Sequence, residues 1–153
     1  MLLILRAATY KTLCRDRSLP CTVTRTKEEV AVPKQILIAD DGVTVRQLIR
    51  RFLESKTAYQ ICGEAVDGLD AVEKAKALKP DLILLDLAMP RMNGAEAATV
   101  LRDVMPEVPI VLFTMYDESV GKSLISSLGI KAVLSKPDGM GNLVACVESL
   151  LGA

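Results

Sequence analysis

Aspartate residues follow two apolar stretches of this 153-residue sequence, at the point where each stretch ends. Asp40 and Asp41 come directly after residues 36–39, and Asp86 comes directly after residues 82–85. A carboxylate at the end of a buried strand is costly to bury without a partner. These three side chains therefore need a cation or hydrogen-bond donors nearby, and they are the first candidates for chemistry.

Two more polar residues, Thr114 and Lys136, end or follow later apolar stretches. Three carboxylates at one place repel each other unless a positive charge holds them or one is protonated. Mg²⁺ suits such a place, because it binds one or two carboxylates and keeps several waters. With Lys136 as a second charge and Thr114 as a hydroxyl donor, the group could serve a carboxylate nucleophile that attacks phosphorus.

Each of these residues taken alone also has an ordinary structural explanation. Asp40 or Asp41 could cap a helix, since aspartate is a preferred N-cap residue. Thr114 could simply end a strand, and Lys136 could be a solvated lysine before a turn. Asp86 has no comparable explanation, and the ordinary readings weaken if all of them share one edge of a sheet.

The elements that must position these residues alternate between strand and helix. Short buried runs predict strands at Gln35–Ala39, Tyr59–Val66, Leu82–Leu85, Val108–Thr114 and Ala132–Leu134. Apolar residues at helical spacing predict a helix after each strand. Their inward residues are Val45, Leu48, Ile49, Phe52 and Leu53, then Val72, Ala75 and Leu78, and in the last helix Leu143, Val147, Leu150 and Leu151.

The remaining helix predictions are more specific about ends and faces. The first helix should turn Arg46, Arg50 and Arg51 to solvent. The third should span Gly94–Val104, and a weak fourth should span 118–128 and end at Gly129.

This alternation predicts an α/β fold, a (βα)₅ doubly wound parallel sheet of five strands in the flavodoxin-like order 2-1-3-4-5. That order places the first and third strands side by side. The carboxyl ends of the strands, and with them all five candidate side chains, then fall on one edge of the sheet. Ligands bind at this edge in open α/β sheets.

Composition excludes several function classes. There is no histidine, which excludes histidine-based acid–base catalysis and histidine-ligated metals. Residues 35–153 carry twelve basic against sixteen acidic side chains, and aromatic residues are scarce, so we expect no direct nucleic-acid binding. The four cysteines (Cys14, Cys21, Cys62 and Cys146) form no C-x-x-C pair and are typical of reduced thiols in a cytoplasmic protein.

Residues 1–34 differ from the rest of the chain. They carry seven basic against three acidic side chains and show no lasting period. The apolar start is too short for a signal peptide or a membrane span. We therefore predict a basic, disordered extension at 1–34, followed by one domain at 35–153 with no membrane association.

Four sequence strings together resemble the receiver domain of bacterial two-component response regulators. They are residues 36–41 (Ile-Leu-Ile-Ala-Asp-Asp), residues 86–94 (Asp-Leu-Ala-Met-Pro-Arg-Met-Asn-Gly), Phe113-Thr114 and residues 134–137 (Leu-Ser-Lys-Pro). The resemblance covers about residues 35–153, with every element in order.

The resemblance implies a role for each candidate residue. Asp86 would accept a phosphoryl group from a sensor histidine kinase, and Asp40, Asp41, Asp86 and the Ala88 carbonyl would bind Mg²⁺. Thr114 would donate to the phosphoryl group, and Lys136 would pair with it. The Lys136–Pro137 peptide would be cis. Phosphorylation would change the surface of the fourth helix, fifth strand and fifth helix, and so its affinity for a downstream protein.

Two positions depart from the pattern of the family. Val133 stands where receivers usually have tyrosine or phenylalanine, so switching must use another readout. Met115, followed by Tyr116, stands where a small residue is common. We expect this bulky side chain to slow the loss of the phosphoryl group.

Three other readings compete with a working receiver, which would not itself be an enzyme. A pseudo-receiver would keep the fold and bind proteins without being phosphorylated. A haloacid-dehalogenase-type phosphohydrolase needs a second aspartate at the position of Ala88. A flavodoxin would bind the phosphate of a flavin after the first strand, where Asp40 and Asp41 would repel it. The output could be a separate protein or a further domain, and a homodimer is compatible with either.

Overall fold

The computed structural model describes residues 32–115, 123 and 125–152. The predictions for residues 1–31 of the N-terminal extension, including Cys14 and Cys21, for Tyr116 and for most of the fourth helix lie outside these residues. The elements are β1 (Gln35–Ala39), α1 (Val43–Lys56), β2 (Gln60–Ala65), α2 (Gly68–Leu78), β3 (Leu82–Leu85), α3 (Gly94–Val104), β4 (Ile110–Thr114), β5 (Ala132–Ser135) and α5 (Lys136–Leu151). Residues 123 and 125–128 are helical and are called α4.

The described strands form one parallel sheet in the order β2-β1-β3-β4-β5, which confirms the predicted fold. In its register Ala39 lies opposite Leu85, and Thr114 lies opposite Ser135. The residues that follow β1 and β3 are therefore neighbours, and the Asp86 N–H donates to the Ala39 carbonyl at 2.8 Å. The carboxyl edge of the sheet thus gathers the chain positions that matter for the site.

The three central strands β1, β3 and β4 are buried, and each face of the sheet has its own apolar core. One core lies under α2 and α3, and its largest strand residues are Leu37, Ile83, Leu85 and Leu112. The other lies under α1 and α5, and it contains Ile36, Ile38, Leu82, Leu84, Val111 and Phe113. Neighbouring strand residues thus alternate between the two cores, which fixes the strand register and the height at which each strand ends.

Three predictions about helix faces were wrong. Leu48 and Leu78 are 56% and 42% exposed, and Arg46 is only 8% exposed. The buried residues of α1 are Arg46, Ile49 and Leu53, at spacings of three and four, and Leu48 lies roughly 100° around the helix from Ile49. Leu78 is at the end of α2, where it packs over Gly63 with one side in solvent.

Two features at the start and end of helices bear on the resemblance and on the predicted boundaries. The Lys136–Pro137 peptide is not cis, contrary to what the resemblance implied. The chain enters α5 at Lys136, and Pro137 lies in the first helical turn, where the N–H that proline lacks would have no helical partner. Gly129 has a φ of 66° directly after α4, as a helix-ending glycine should.

Candidate functional site

Three carboxylates meet at the carboxyl edge of the sheet, as predicted. Asp40 follows β1 and Asp86 follows β3, and both are buried, whereas Asp41 is exposed. Each offers a carboxylate oxygen, and these three oxygens lie within 4.8 Å of one another. This spacing concentrates negative charge at the point where the first and third strands end.

Lys136 brings the positive charge that this cluster requires. Its Nζ lies 2.5 Å from Asp40 Oδ2 and 3.2 Å from Asp86 Oδ1. Burial alone would lower the pKa of Lys136, but the hydrogen bond to Asp40 and the charges of Asp86 and Asp40 outweigh burial and raise it above the usual lysine value. The amine is therefore held as a cation between the two buried aspartates.

Asp86 is the buried carboxylate of the cluster that keeps an unsatisfied oxygen. Lys136 is at ion-pair distance from Asp86 Oδ1 but without hydrogen-bond geometry, and this oxygen is buried with no hydrogen-bond partner. Burial raises the pKa of Asp86, the charge of Lys136 opposes that rise, and the charge of Asp40 adds to it; the net result lies above the usual aspartate value. A buried acceptor in this state is prepared for a further positive group.

Asp40 is held by a different partner at each of its polar atoms. Its Oδ1 accepts the Gly42 N–H at 2.8 Å, and its Oδ2 accepts Lys136. Its carbonyl accepts Arg46 Nη1 at 2.6 Å. The N-cap of α1 is Gly42, with no side-chain cap, so neither Asp40 nor Asp41 has the ordinary capping role.

These residues fit a hard divalent cation. Oxygen ligands are what Mg²⁺ prefers, and three carboxylates converge while Asp86 Oδ1 has a free acceptor position. Lys136 is the cation paired with Asp40 and Asp86 among the described residues. Ala88 is exposed in the loop two residues after Asp86, and its carbonyl stays a predicted ligand.

The loop from β3 to α3, which follows Asp86, is tied down closely. The Gly94 N–H donates to the Leu87 carbonyl at 2.9 Å. A Cβ at Gly94 would lie 2.1 Å from the Asp86 carbonyl oxygen, so only glycine permits this approach. Asn93 caps α3, in a capping box with Glu96. The backbone behind the candidate nucleophile is therefore closely constrained.

Thr114 and Met115 complete the rim. Thr114 ends β4 and is 2% exposed, and Met115 after it is 68% exposed. An apolar cavity of about 230 Å³ opens beside Met115 and the stem of Lys136, and it lies between α1, β4 and α5. The structure thus places Thr114 at the predicted edge and Met115 at an opening close to Lys136.

Sequence reasoning missed two charged contacts near this edge. Arg46 Nε donates to Glu64 Oε2 at 3.1 Å in addition to its bond with Asp40. Asp67, for which no contact was predicted from the sequence, is 1% exposed, caps α2 and pairs with Arg91. A signal for Arg46 was available in its spacing of three from Ile49, but the long-range partners were not visible along the chain.

Among the residues that the structure describes, none of the helices is both long and apolar enough to cross a membrane.

The chain is similar in sequence to several curated proteins. A protein-glutamate methylesterase/protein-glutamine glutaminase of Myxococcus xanthus is 40% identical over 70% of this chain and 31% of that protein. The transcriptional regulatory protein PdtaR of Mycobacterium tuberculosis is 35% identical over 80% of this chain and 59% of its own length. This chain therefore spans 31% of the length of the first relative and 59% of the length of the second.

Solved structures show the same fold. The response regulator domain of Thermotoga maritima CheB has a TM-score of 0.73 at 23% identity, over 80% of this chain and 98% of that one. A LuxR-family response regulator from Aurantimonas has a TM-score of 0.74 at 28% identity, over 78% of this chain and 86% of that one. Residues 36–148 match the family described as response regulator receiver domain. The chain belongs to the response regulator receiver domain family.

Proposed function

We propose that this receiver accepts a phosphoryl group on Asp86 from the phosphohistidine of a sensor histidine kinase. The observation that carries the proposal is Asp86 Oδ1, a buried carboxylate oxygen without a hydrogen-bond partner beside two other carboxylates. An oxygen committed to structural hydrogen bonds would be a poor nucleophile, whereas this one is available.

The transfer itself requires little covalent chemistry from the protein. A carboxylate oxygen of Asp86 forms a bond to phosphorus, the bond from phosphorus to the histidine nitrogen breaks, and the nitrogen retains that electron pair. The product is an acyl phosphate on Asp86. The protein contributes chiefly position and charge, as is usual for phosphoryl transfer.

Each neighbour has a definable part in this transfer. Lys136, already 3.2 Å from Asp86 Oδ1, neutralises charge on the incoming phosphoryl oxygens. Thr114 supplies a hydroxyl donor at the end of β4. Asp40, Asp41, Asp86 and the Ala88 carbonyl would hold Mg²⁺, which supplies further charge neutralisation for the phosphoryl oxygens when bound.

The downstream role follows from the same site. We propose a signalling domain whose phosphorylation changes its affinity for a protein target or for an output domain, rather than an enzyme with its own substrate. Val133 is half-buried, packs against the core under α2 and α3 and has no aromatic ring, so switching would use another residue. Dimerisation on phosphorylation is compatible with this role.

The intact mass of the protein after incubation with acetyl phosphate tests the proposal. We expect the added mass of one phosphoryl group in the wild type with Mg²⁺ and none after chelation. Asp86→Asn should give no adduct. Asp67→Asn, at a deeply buried aspartate of this edge that lies outside the carboxylate cluster, is the matched control and should retain it.

Two results would contradict phosphorylation at Asp86. An adduct that persists in Asp86→Asn would place the phosphoryl group elsewhere. No adduct in the wild type or in Met115→Ala, which opens the rim, with either acetyl phosphate or a phosphorylated kinase domain would favour a pseudo-receiver.

A further inference from the structure

Arg46 is a buried charge that the proposed phosphoryl transfer leaves unexplained. It lies on α1 with only 8% of its surface exposed. A buried guanidinium is costly unless its donors are satisfied, and an apolar side chain of similar size would often serve stability as well. Its N–H donors should therefore contact acceptors that account for its burial.

The donors of Arg46 divide between two acceptors. Nε donates to Glu64 Oε2 on β2 at 3.1 Å, and Nη1 donates to the backbone carbonyl of Asp40 at 2.6 Å. The first contact ties a helix to a strand. The second reaches the peptide that joins Asp40 to Asp41, which are two of the three converging carboxylates.

The contact with Glu64 alone does not require Arg46. Arg50, one turn further along α1, donates to Glu64 Oε1 at 2.7 Å and to the Ile61 carbonyl at 3.3 Å. Helix α1 is thus already joined to β2 by a charged pair. What Arg46 adds is the bond to the Asp40 carbonyl.

We propose that Arg46 is a positioning residue for the divalent cation, and the inference rests on the proposed function of the site. The Asp40 N–H already donates to the Ala65 carbonyl at 3.1 Å, so Arg46 fixes the other side of the same residue. With both sides held, the two carboxylates project at a set angle. Asp41, which is exposed, depends most on this backbone for its place.

The guanidinium is suited to this role in a way that an ammonium is not. Its planar fork can direct one donor to Glu64 and another to the Asp40 carbonyl at the same time. A lysine would present one compact charge, and Glu64 would compete with the carbonyl for it. Lysine should therefore restore the charge but only part of the positioning.

The test compares Arg46→Met with Arg50→Met, since both remove one arginine from Glu64 and only the first loses the Asp40 contact. Mg²⁺ affinity is measured by isothermal titration calorimetry on the full chain, alongside melting temperature without metal. Removing a side chain that orients metal ligands typically weakens metal binding by about 10- to 100-fold. We expect at least about tenfold weaker binding for Arg46→Met, an intermediate value for Arg46→Lys, and about the wild-type value for Arg50→Met.

Several outcomes would overturn the inference. If Arg46→Met melts at a lower temperature but binds Mg²⁺ like the wild type, its role is structural only. If Arg50→Met weakens binding equally, the helix–strand tie and not the Asp40 carbonyl is responsible. Should Arg46→Met not fold, Arg46→Lys with wild-type affinity contradicts the positioning role.

The proposed function fails in a different way. Asp41→Ala, the reference for loss of a direct ligand, should abolish the titration. A wild type that binds Mg²⁺ but gains no phosphoryl group would contradict phosphorylation while leaving the role of Arg46 measurable. A wild type that binds no Mg²⁺ would overturn both.

Discussion

Two buried aspartates at the same edge of the sheet differ in how far their oxygens are satisfied. Asp67, after β2, is 1% exposed, and Asp86, after β3, is 5% exposed. Asp67 accepts the Asp70 N–H at 2.9 Å and pairs with Arg91, whereas Asp86 Oδ1 has no hydrogen-bond partner. Similar burial thus accompanies opposite states of hydrogen bonding, and the spare acceptor of Asp86 is the feature on which the proposed phosphorylation rests.

The two aspartates are also connected through the loop that follows Asp86. Arg91, which pairs with Asp67, has a φ of 63° in that loop. The carbonyl of the next residue, Met92, accepts the Gly68 N–H at 3.0 Å. Asp67 therefore helps to anchor the loop that follows Asp86. Substitutions at each aspartate can distinguish the anchoring role from the proposed reactive one.

Asp67→Ala should have the largest effect on stability. It removes the N-cap of α2 and the partner of Arg91, and we expect a loss of about 2 kcal/mol in the free energy of unfolding. Denaturant titration measures this loss. Asp67→Asn is the control, because asparagine caps helices equally well, and it should lose clearly less. If Asp67→Ala is as stable as the wild type, the hydrogen bonds of Asp67 do not stabilise the fold, and its contrast with Asp86 is lost.

Asp86→Asn should stabilise the protein, and its effect on stability should be smaller than that of Asp67→Ala. The pKa of Asp86 is raised in the folded protein, so the folded state binds this proton more tightly than the unfolded chain. The contribution of the Asp86 carboxyl group to stability is therefore full below the ordinary aspartate pKa, and it is lost as the pH rises through the raised pKa of the folded state. Asparagine carries no such charge, and Lys136 keeps its bond to Asp40. We expect a melting temperature about 3 °C above the wild type at neutral pH without Mg²⁺.

The pH dependence provides the control for this second prediction. Below the ordinary aspartate pKa the carboxyl is protonated in both states, so the advantage of Asp86→Asn should shrink as the pH is lowered. Differential scanning calorimetry across this range measures it. If the melting temperature of Asp86→Asn exceeds that of the wild type by the same amount at every pH, or is lower at neutral pH, then the charge of Asp86 does not destabilise the folded protein.

The sequence predicted the convergence at this edge because parallel strands end together. Once the strands were recognised as buried runs, Asp40, Asp86 and Thr114 had to lie at one edge, and the structure places them there. β3 and α3 have the predicted bounds. These features depend on local patterns and on one rule of topology, which is why they were accessible.

Other features depend on contacts between distant parts of the chain. Arg46 was assigned to solvent because charge usually indicates exposure, but its partner Glu64 lies 18 residues away on β2. The pair of Asp67 and Arg91 spans 24 residues and involves a left-handed residue that is not glycine. No periodicity along the chain encodes such pairs, so only the folded structure could show them.

Access to a phosphodonor should also distinguish the two aspartates. Asp67 is closed off by its own partners, whereas Asp86, as the proposed phosphoryl acceptor, would have to admit a donor to its buried carboxylate and could admit water by the same route. Met115 follows Thr114 and lines the opening beside Lys136. A bulky side chain there should slow hydrolysis of the acyl phosphate, because excluding water protects reactive intermediates. We expect Met115→Ala to lose its phosphoryl group about threefold faster, a small change in barrier.

Leu48→Ala is the matched control for this effect, since Leu48 lines the same opening from α1 and is likewise exposed. The decay of the phosphorylated mass after removal of the donor measures both variants against the wild type. If both variants decay faster, the apolar cavity as a whole limits access. If neither does, the rim at Met115 leaves hydrolysis unchanged, and the acyl phosphate proposed at Asp86 is protected only by the groups that contact it directly. Faster decay in Met115→Ala alone would assign the protection to the residue after Thr114.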